Sequence, residues 1–225
     1  MLSRRTKALL SWSSGKDSAW ALQVLRAQPD VELAGLLTTF NQEADRVAMH
    51  AVRRELVAQQ ATAASLPLYP VELPWPCPNE EYENILTGAL TELKDRLSIT
   101  HVAFGDLYLE DVRAYREKQM GRLGLTPLFP IWGQPTNELA HRMVAAGVKA
   151  WLTCVDPKQL PREFAGRAYD DRLLGEFPDG VDPCGENGEF HTFAWDGPMF
   201  ASPVHVSVGE RVERDGFVFT DLMPG

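Results

Sequence analysis

Apolar positions recur along the first two thirds of the chain in two rhythms. Short apolar or β-branched runs at Lys7–Ser11, Val31–Thr39, Leu68–Leu73, Ile99–Gly105, Leu125–Trp132 and Val148–Val155 are predicted to be strands. Between them, Lys16–Ala27 spaces Ala19, Trp20, Leu22 and Leu25 as one helical face, with Pro29 just past its end. Arg46–Leu66 lacks Pro and Gly and is rich in good helix formers, which predicts a second helix carrying His50 near its start. Asn79–Leu97, Leu109–Leu123 (ended by Gly124) and Thr136–Ala146 complete the helical set. The three prolines of Pro74-Trp75-Pro76-Cys77-Pro78 remove three backbone donors and force a loop, either a packing plug or a pocket wall.

The alternation predicts an α/β fold, a Rossmann-like parallel sheet with helices on both faces. Ligands bind such sheets beyond the carboxyl ends of the strands. The segments following Ser11, Thr39, Leu73, Gly105 and Val155 are therefore where chemistry is expected. Past residue 156 the helical rhythm fades and Gly, Pro and Asp become frequent. Short strands are predicted at Phe190–Trp195, Val204–Val208 and Phe217–Thr220, with a hairpin turn at Arg214-Asp215-Gly216. The division expected is residues 1–132 as the α/β domain and 133–225 as a smaller α+β domain.

Composition narrows the class. The 22 Lys+Arg against 31 Asp+Glu leave a net charge of −9 over 225 residues, which argues against non-specific binding to nucleic acid or membrane. No apolar run reaches membrane-spanning length, and Ala8-Leu9-Leu10 is too short for a signal peptide. Cys77, Cys154 and Cys184, odd in number and widely spaced, fit a reducing cytoplasmic setting rather than a disulfide framework.

The most pointed motif lies between the first strand and the first helix: Ser11-Trp12-Ser13-Ser14-Gly15-Lys16-Asp17-Ser18. Small residues there let backbone N–H groups surround an anion, and Ser13 and Ser18 add hydroxyl donors. Lys16 brings a positive charge. Asp17 would repel a phosphate by itself, but it fits if it holds Mg²⁺ that in turn holds phosphates. The loop is not a Walker A sequence, because Asp17 stands where Ser or Thr must follow Gly-Lys.

Ser13-Ser14-Gly15-Lys16-Asp17-Ser18 resembles the pyrophosphate-binding S-G-G-K-D-S loop, the PP-loop, of the ATP pyrophosphatases in the adenine nucleotide alpha hydrolase superfamily, with Ser14 in place of the first Gly. Gly105-Asp106-Leu107-Tyr108-Leu109-Glu110-Asp111 after the fourth strand, and Asp182-Pro183-Cys184-Gly185-Glu186-Asn187-Gly188-Glu189-Phe190-His191-Thr192, extend the resemblance over nearly the whole chain to the diphthine–ammonia ligase family. His191 stands where that family's pattern carries a third acidic residue. The resemblance implies an enzyme that cleaves ATP to AMP and pyrophosphate, adenylates an acceptor and amidates it with ammonia. The acceptor it implies is diphthine on a modified protein or, given His191, a smaller molecule. It implies ATP and Mg²⁺ as cofactors, and a homodimer is left open.

On that basis Ser13, Ser14, Gly15, Lys16 and Ser18 are expected to bind the nucleotide together with Gly105, Asp106 and Arg113. Asp17 is the expected metal ligand, and Lys16, Asp17, Glu186, Glu189 and His191 the catalytic set, with an acidic residue or His191 serving as base toward ammonia. Each has a plainer alternative. Asp106 is also a helix-cap residue, Arg113 and Arg116 are also solvated face charges, and Glu186 and Glu189 form an acidic turn. Two rival functions use the same loop: a nucleotide sensor without catalysis, and a tRNA-modifying enzyme, which the negative charge disfavours.

Overall fold

The computed structural model describes residues 5–47 and 51–225. The expected His50 lies outside the described residues. The chain forms β1 (Thr6–Ser11), α1 (Lys16–Arg26), β2 (Val31–Asn41), β3 (Arg46–Val47), α2 (Arg54–Ala63), β4 (Leu68–Leu73), α3 (Asn79–Leu97), β5 (His101–Ala103), α4 (Glu110–Arg122) and β6 (Thr126–Leu128). Parallel strands run in the order β4-β2-β1-β5-β6, and the short β3 pairs antiparallel with the end of β2. Strand order reverses between β1 and β5. A doubly wound sheet opens a crevice at that point, beyond its carboxyl edge.

The remaining elements are α5 (Thr136–Ala145), β7 (Lys149–Val155), α6 (Asp171–Glu176), β8 (Phe190–Asp196), β9 (Val206–Arg214) and β10 (Phe217–Pro224). They build a second, antiparallel sheet in the order β8-β7-β10-β9. Adjacent residues of β1 point to opposite faces of the first sheet, as a strand requires. Leu9 packs with Leu90, Val102, Phe104 and Met120, while Leu10 joins Trp20, Leu22, Leu36 and Leu56. The second sheet sits on the latter side, where Leu152, Phe193 and Ala194 share one core with α1 and α2. No helix of the described residues is long and apolar enough to cross a membrane.

Four expectations need correction. The predicted helix over Arg46–Leu66 is β3 followed by a helix that starts only at Arg54. Arg46 and Val47 pair with β2 instead, and Ala51 has a φ of 54°, which an α-helix cannot contain. Strand Leu125–Trp132 shrinks to Thr126–Leu128 at the sheet edge, where Pro127 is tolerated because its missing N–H faces no partner. Val148–Val155, expected at the end of the parallel series, belongs to the antiparallel sheet. Strand Val204–Val208 begins later and runs to Arg214. β9 is exposed along almost its whole length, and between Gly209 and Arg214 only Val212 is apolar, so no alternation marked that part. The hairpin turn holds as expected: Asp215 and Gly216 have φ of 54° and 84°, the left-handed pair a tight hairpin needs.

Candidate active site

The segment after β1 turns through Ser14 and enters α1 at Gly15, which has no side chain with which to cap the helix. Its first-turn N–H groups must find acceptors elsewhere. Ser14 adopts a φ of 72°, the conformation for which the corresponding glycine is suited, and its hydroxyl is buried without a hydrogen-bond partner among the described residues. Around the turn, Ser13 Oγ donates to Ser18 Oγ at 3.2 Å and Ser18 Oγ donates to the Gly15 carbonyl at 3.0 Å.

This loop is held from the second sheet. The N–H of Ala194 donates to the Ser14 carbonyl at 2.9 Å, and Lys16 N–H donates to Thr192 Oγ1 at 3.1 Å. Gln60, fully buried in α2, accepts from Trp12 Nε1 at 2.8 Å and donates to the carbonyls of Ser14 and Ala194 at 2.9 and 2.6 Å. A lone amide on the apolar face of α2, between Leu56, Val57 and Ala61, was the available signal for Gln60. Thr192 belongs to the quoted C-terminal motif, but only the fold gives it a task.

Lys16 is 1% exposed. Its ammonium donates to Asp17 Oδ1 and Oδ2 at 3.0 and 2.9 Å and to the Cys184 carbonyl, and it lies 5.3 Å from the ring centres of both Tyr169 and Phe190. Burial by itself disfavours this charge, but Asp17, Cys184 and Glu186 more than offset it and hold the ammonium above its ordinary pKa. Lys16 thus ties α1 to the C-terminal motif.

That motif divides its acids. Glu189 is 2% exposed and serves the turn itself: Oε1 accepts from Asp182 N at 2.9 Å and Oε2 from Asn187 N at 3.0 Å. Asp182 in turn accepts from Cys184 N at 2.6 Å and from the Tyr108 hydroxyl at 2.8 Å. Gly185 has a φ of 72°, and a Cβ there would stand 2.8 Å from the Phe190 carbonyl, so only glycine fits. Glu186 instead faces the cleft and accepts from Leu107 N at 2.8 Å. Burial, reinforced by the charges of Asp17 and Asp106, pushes its pKa up to about 7. His191 also lines the cleft. Burial, with the nearby Lys16 charge, drives its pKa down to about 4, so at neutral pH it is an uncharged imidazole.

These groups surround a cleft of about 480 Å³ at the reversal point of the first sheet. Ser13, Lys16, Asp17 and Ser18 form one wall, Gly105, Asp106 and Arg116 another, and Glu186 and His191 a third. Leu37 and Thr39 of β2, Tyr82 and Leu86 of α3, and Phe104 add apolar and aromatic surface. Gly105 lets β5 come close: a Cβ on it would meet Asp17 C and Ser18 N at 3.1 Å. Arg113 does not line the cleft. It lies over the rings of Phe129 and Trp132, 5.0 and 4.8 Å from their centres, and pairs with Glu117 at 2.8 Å. One turn on, Arg116 takes the place beside the cleft, 3.6 Å from Asp106.

The described residues contain no preformed cluster of three metal-ligating side chains. Mg²⁺ bound with a nucleotide needs fewer, because phosphates and water supply most of its shell. Asp106 Oδ2 fits that use, being buried without a hydrogen-bond partner. Asp17 fits less directly, since both its carboxylate oxygens already accept hydrogen bonds from Lys16, whereas Asp106 has only the 3.6 Å ion pair with Arg116.

Comparison with known proteins agrees with this architecture. The diphthamide synthase N-terminal domain matches residues 5–127, and the diphthamide synthase C-terminal domain matches residues 135–221. The chain is 28% identical to the diphthine–ammonia ligase of Mus musculus and 27% identical to that of Homo sapiens; each match covers 97% of this chain and 88% of the relative. It is 29% identical to the diphthine–ammonia ligase of Schizosaccharomyces pombe over 90% of this chain and 36% of that longer protein. With both domains matched in order and the Ser13–Ser18 loop and the C-terminal motif meeting in one cleft, the chain belongs to the diphthamide synthase family.

Proposed function

We propose that the cleft binds ATP, transfers its adenylyl group to a carboxylate acceptor with release of pyrophosphate, and then passes the activated acyl group to ammonia, forming an amide and AMP. The observation that carries this reading is the convergence of the Ser13–Ser18 loop with Glu186, whose pKa of about 7 suits proton transfer at neutral pH. Loop amides and hydroxyls at the start of α1 receive the departing phosphates, where dipole and donors favour an anion. Asp106, assisted by Asp17, would hold Mg²⁺, which when bound neutralises phosphate charge. Lys16 keeps the loop docked on the C-terminal motif, so the acceptor side and the nucleotide side stay in register. Glu186, ionised, takes the proton that the ammonia nitrogen sheds as it bonds to the acyl carbon and AMP leaves. His191, neutral beside it, accepts or donates a hydrogen bond without adding charge.

The relatives' names favour diphthine as the acceptor, and the carboxylates facing the cleft suit its cationic group. A smaller carboxylate acceptor is the second reading, favoured by His191, which withholds one negative charge from that field. Incubating the protein with ATP, magnesium, ammonium and a diphthine-bearing elongation factor is expected to yield AMP, pyrophosphate and the amide. AMP formed only with small carboxylates would select the second acceptor. ADP and phosphate as sole products would overturn the mechanism.

A further inference from the structure

The side-chain cations among the described residues lining the cleft are Lys16 and Arg116. They are in opposite states. The Lys16 ammonium is enclosed by the Asp17 carboxylate, the Cys184 carbonyl and two aromatic rings, which leaves it little reach toward a ligand. Arg116 reaches the cleft from α4 with its guanidinium 4.8 Å from the centre of the Phe104 ring. Its Nε is buried and donates to nothing, although Asp106 Oδ2, equally buried and accepting nothing, stands 3.6 Å away. The two form an ion pair at a distance longer than a hydrogen bond, so each keeps hydrogen-bonding capacity that is unfilled although buried. That capacity is filled when an anion meets the guanidinium and a cation the carboxylate.

We propose that Arg116 is the phosphate-binding arginine of this cleft, taking a phosphate oxygen of the bound nucleotide while Lys16 serves the docking of the loop; this rests on the ATP reading. A guanidinium resting over an aromatic ring is restrained at one side, and its planar fork matches phosphate oxygens. Asp106 beside it keeps the empty site from accumulating positive charge and offers the free oxygen to the accompanying cation.

The test is binding, followed by calorimetry or NMR titration, of Mg-ATP and of adenosine to the full chain. Arg116→Met is expected to weaken Mg-ATP about 10- to 100-fold while leaving adenosine unchanged. Arg116→Lys, which keeps the charge but not the fork, is expected to fall between, and Arg122→Gln on the same helix to match the wild type. Circular dichroism checks that each variant is folded. Wild-type Mg-ATP affinity in both Arg116 variants would overturn the assignment, as would an equal loss for adenosine, which marks a purely structural arginine. A wild-type protein that binds no ATP would overturn the function reading itself and this assignment with it, an outcome distinct from the other two.

Discussion

Glu186 and His191 face the same cleft and are perturbed in opposite senses. Glu186 moves from its ordinary 4.5 to about 7, so the folded protein holds this proton more tightly than the unfolded chain. Its contribution to stability is present below about pH 4.5 and is lost as pH rises through 7. His191 moves from 6.5 down to about 4, so its contribution is present above pH 6.5 and is lost as pH falls through about 4. The stability of Glu186→Gln relative to wild type, measured by urea midpoint, is therefore expected to improve steadily between pH 4.5 and 7. A flat difference would show that Glu186 does not titrate in that range. The same carboxylate, acting as a base, predicts a turnover that climbs through an apparent pKa near 7. Glu186→Gln is expected to lose that limb and about 100-fold in rate. At Ser14, φ of 72° and a buried, unpartnered hydroxyl both favour glycine. Ser14→Gly is expected to raise stability by about 1 kcal/mol, read as a higher Tm, with nucleotide binding kept.

At the scale of elements, the start of α1 is positioned from two sides. The segment after β5 presses on it through Gly105, and β8 fixes it through Thr192 and Ala194. Gly105→Ala would put a methyl group 3.1 Å from the backbone of Asp17 and Ser18, which cannot yield without moving the loop. The expected result is a folded protein whose affinity for ATP is at least about 10-fold weaker, since misplaced loop amides lose their ligand. Gln60 performs the same service from α2. Gln60→Leu leaves Trp12 Nε1 and the Ala194 carbonyl without this partner and is expected to cost about 3 kcal/mol in a denaturant titration. An effect below about 1 kcal/mol would mean that water or a shifted neighbour replaces the amide.

For the whole molecule, the decisive feature is that the two sheets share one apolar core rather than meeting across a polar seam. Arg26 reinforces the joint by donating to the carbonyls of Ala64 and Met199, and Arg46 and Arg53 both pair with Asp221 of β10. Unfolding is therefore expected as one calorimetric transition, because the shared core is uncovered when either sheet leaves. Two resolved transitions would show that the sheets fold independently. The joint also explains the cleft, since its third wall comes entirely from the C-terminal motif.

The sequence alone determined the alternation of β1, α1, β2, β4, α3, β5 and α4, the loop after β1, and the membership of Glu186 and His191 in a motif. Those properties are local, written in apolar spacing, in glycine placement and in short runs of residues. It misjudged Arg46–Leu66 because the helix propensity of its first residues was outweighed by their hairpin pairing with the end of β2. Only the tertiary structure decided which acid turns toward the cleft. Glu186 and Glu189 are three positions apart in one turn, and one is drawn outward by Leu107 N–H while the other is consumed by Asp182 and Asn187. It likewise set Arg116 rather than Arg113 beside Asp106, and turned Lys16 toward Cys184. The turns of Glu186 toward Leu107 and of Lys16 toward Cys184 depend on hydrogen bonds between residues far apart in the chain, and a side chain's burial and partners exist only once those segments have been brought together.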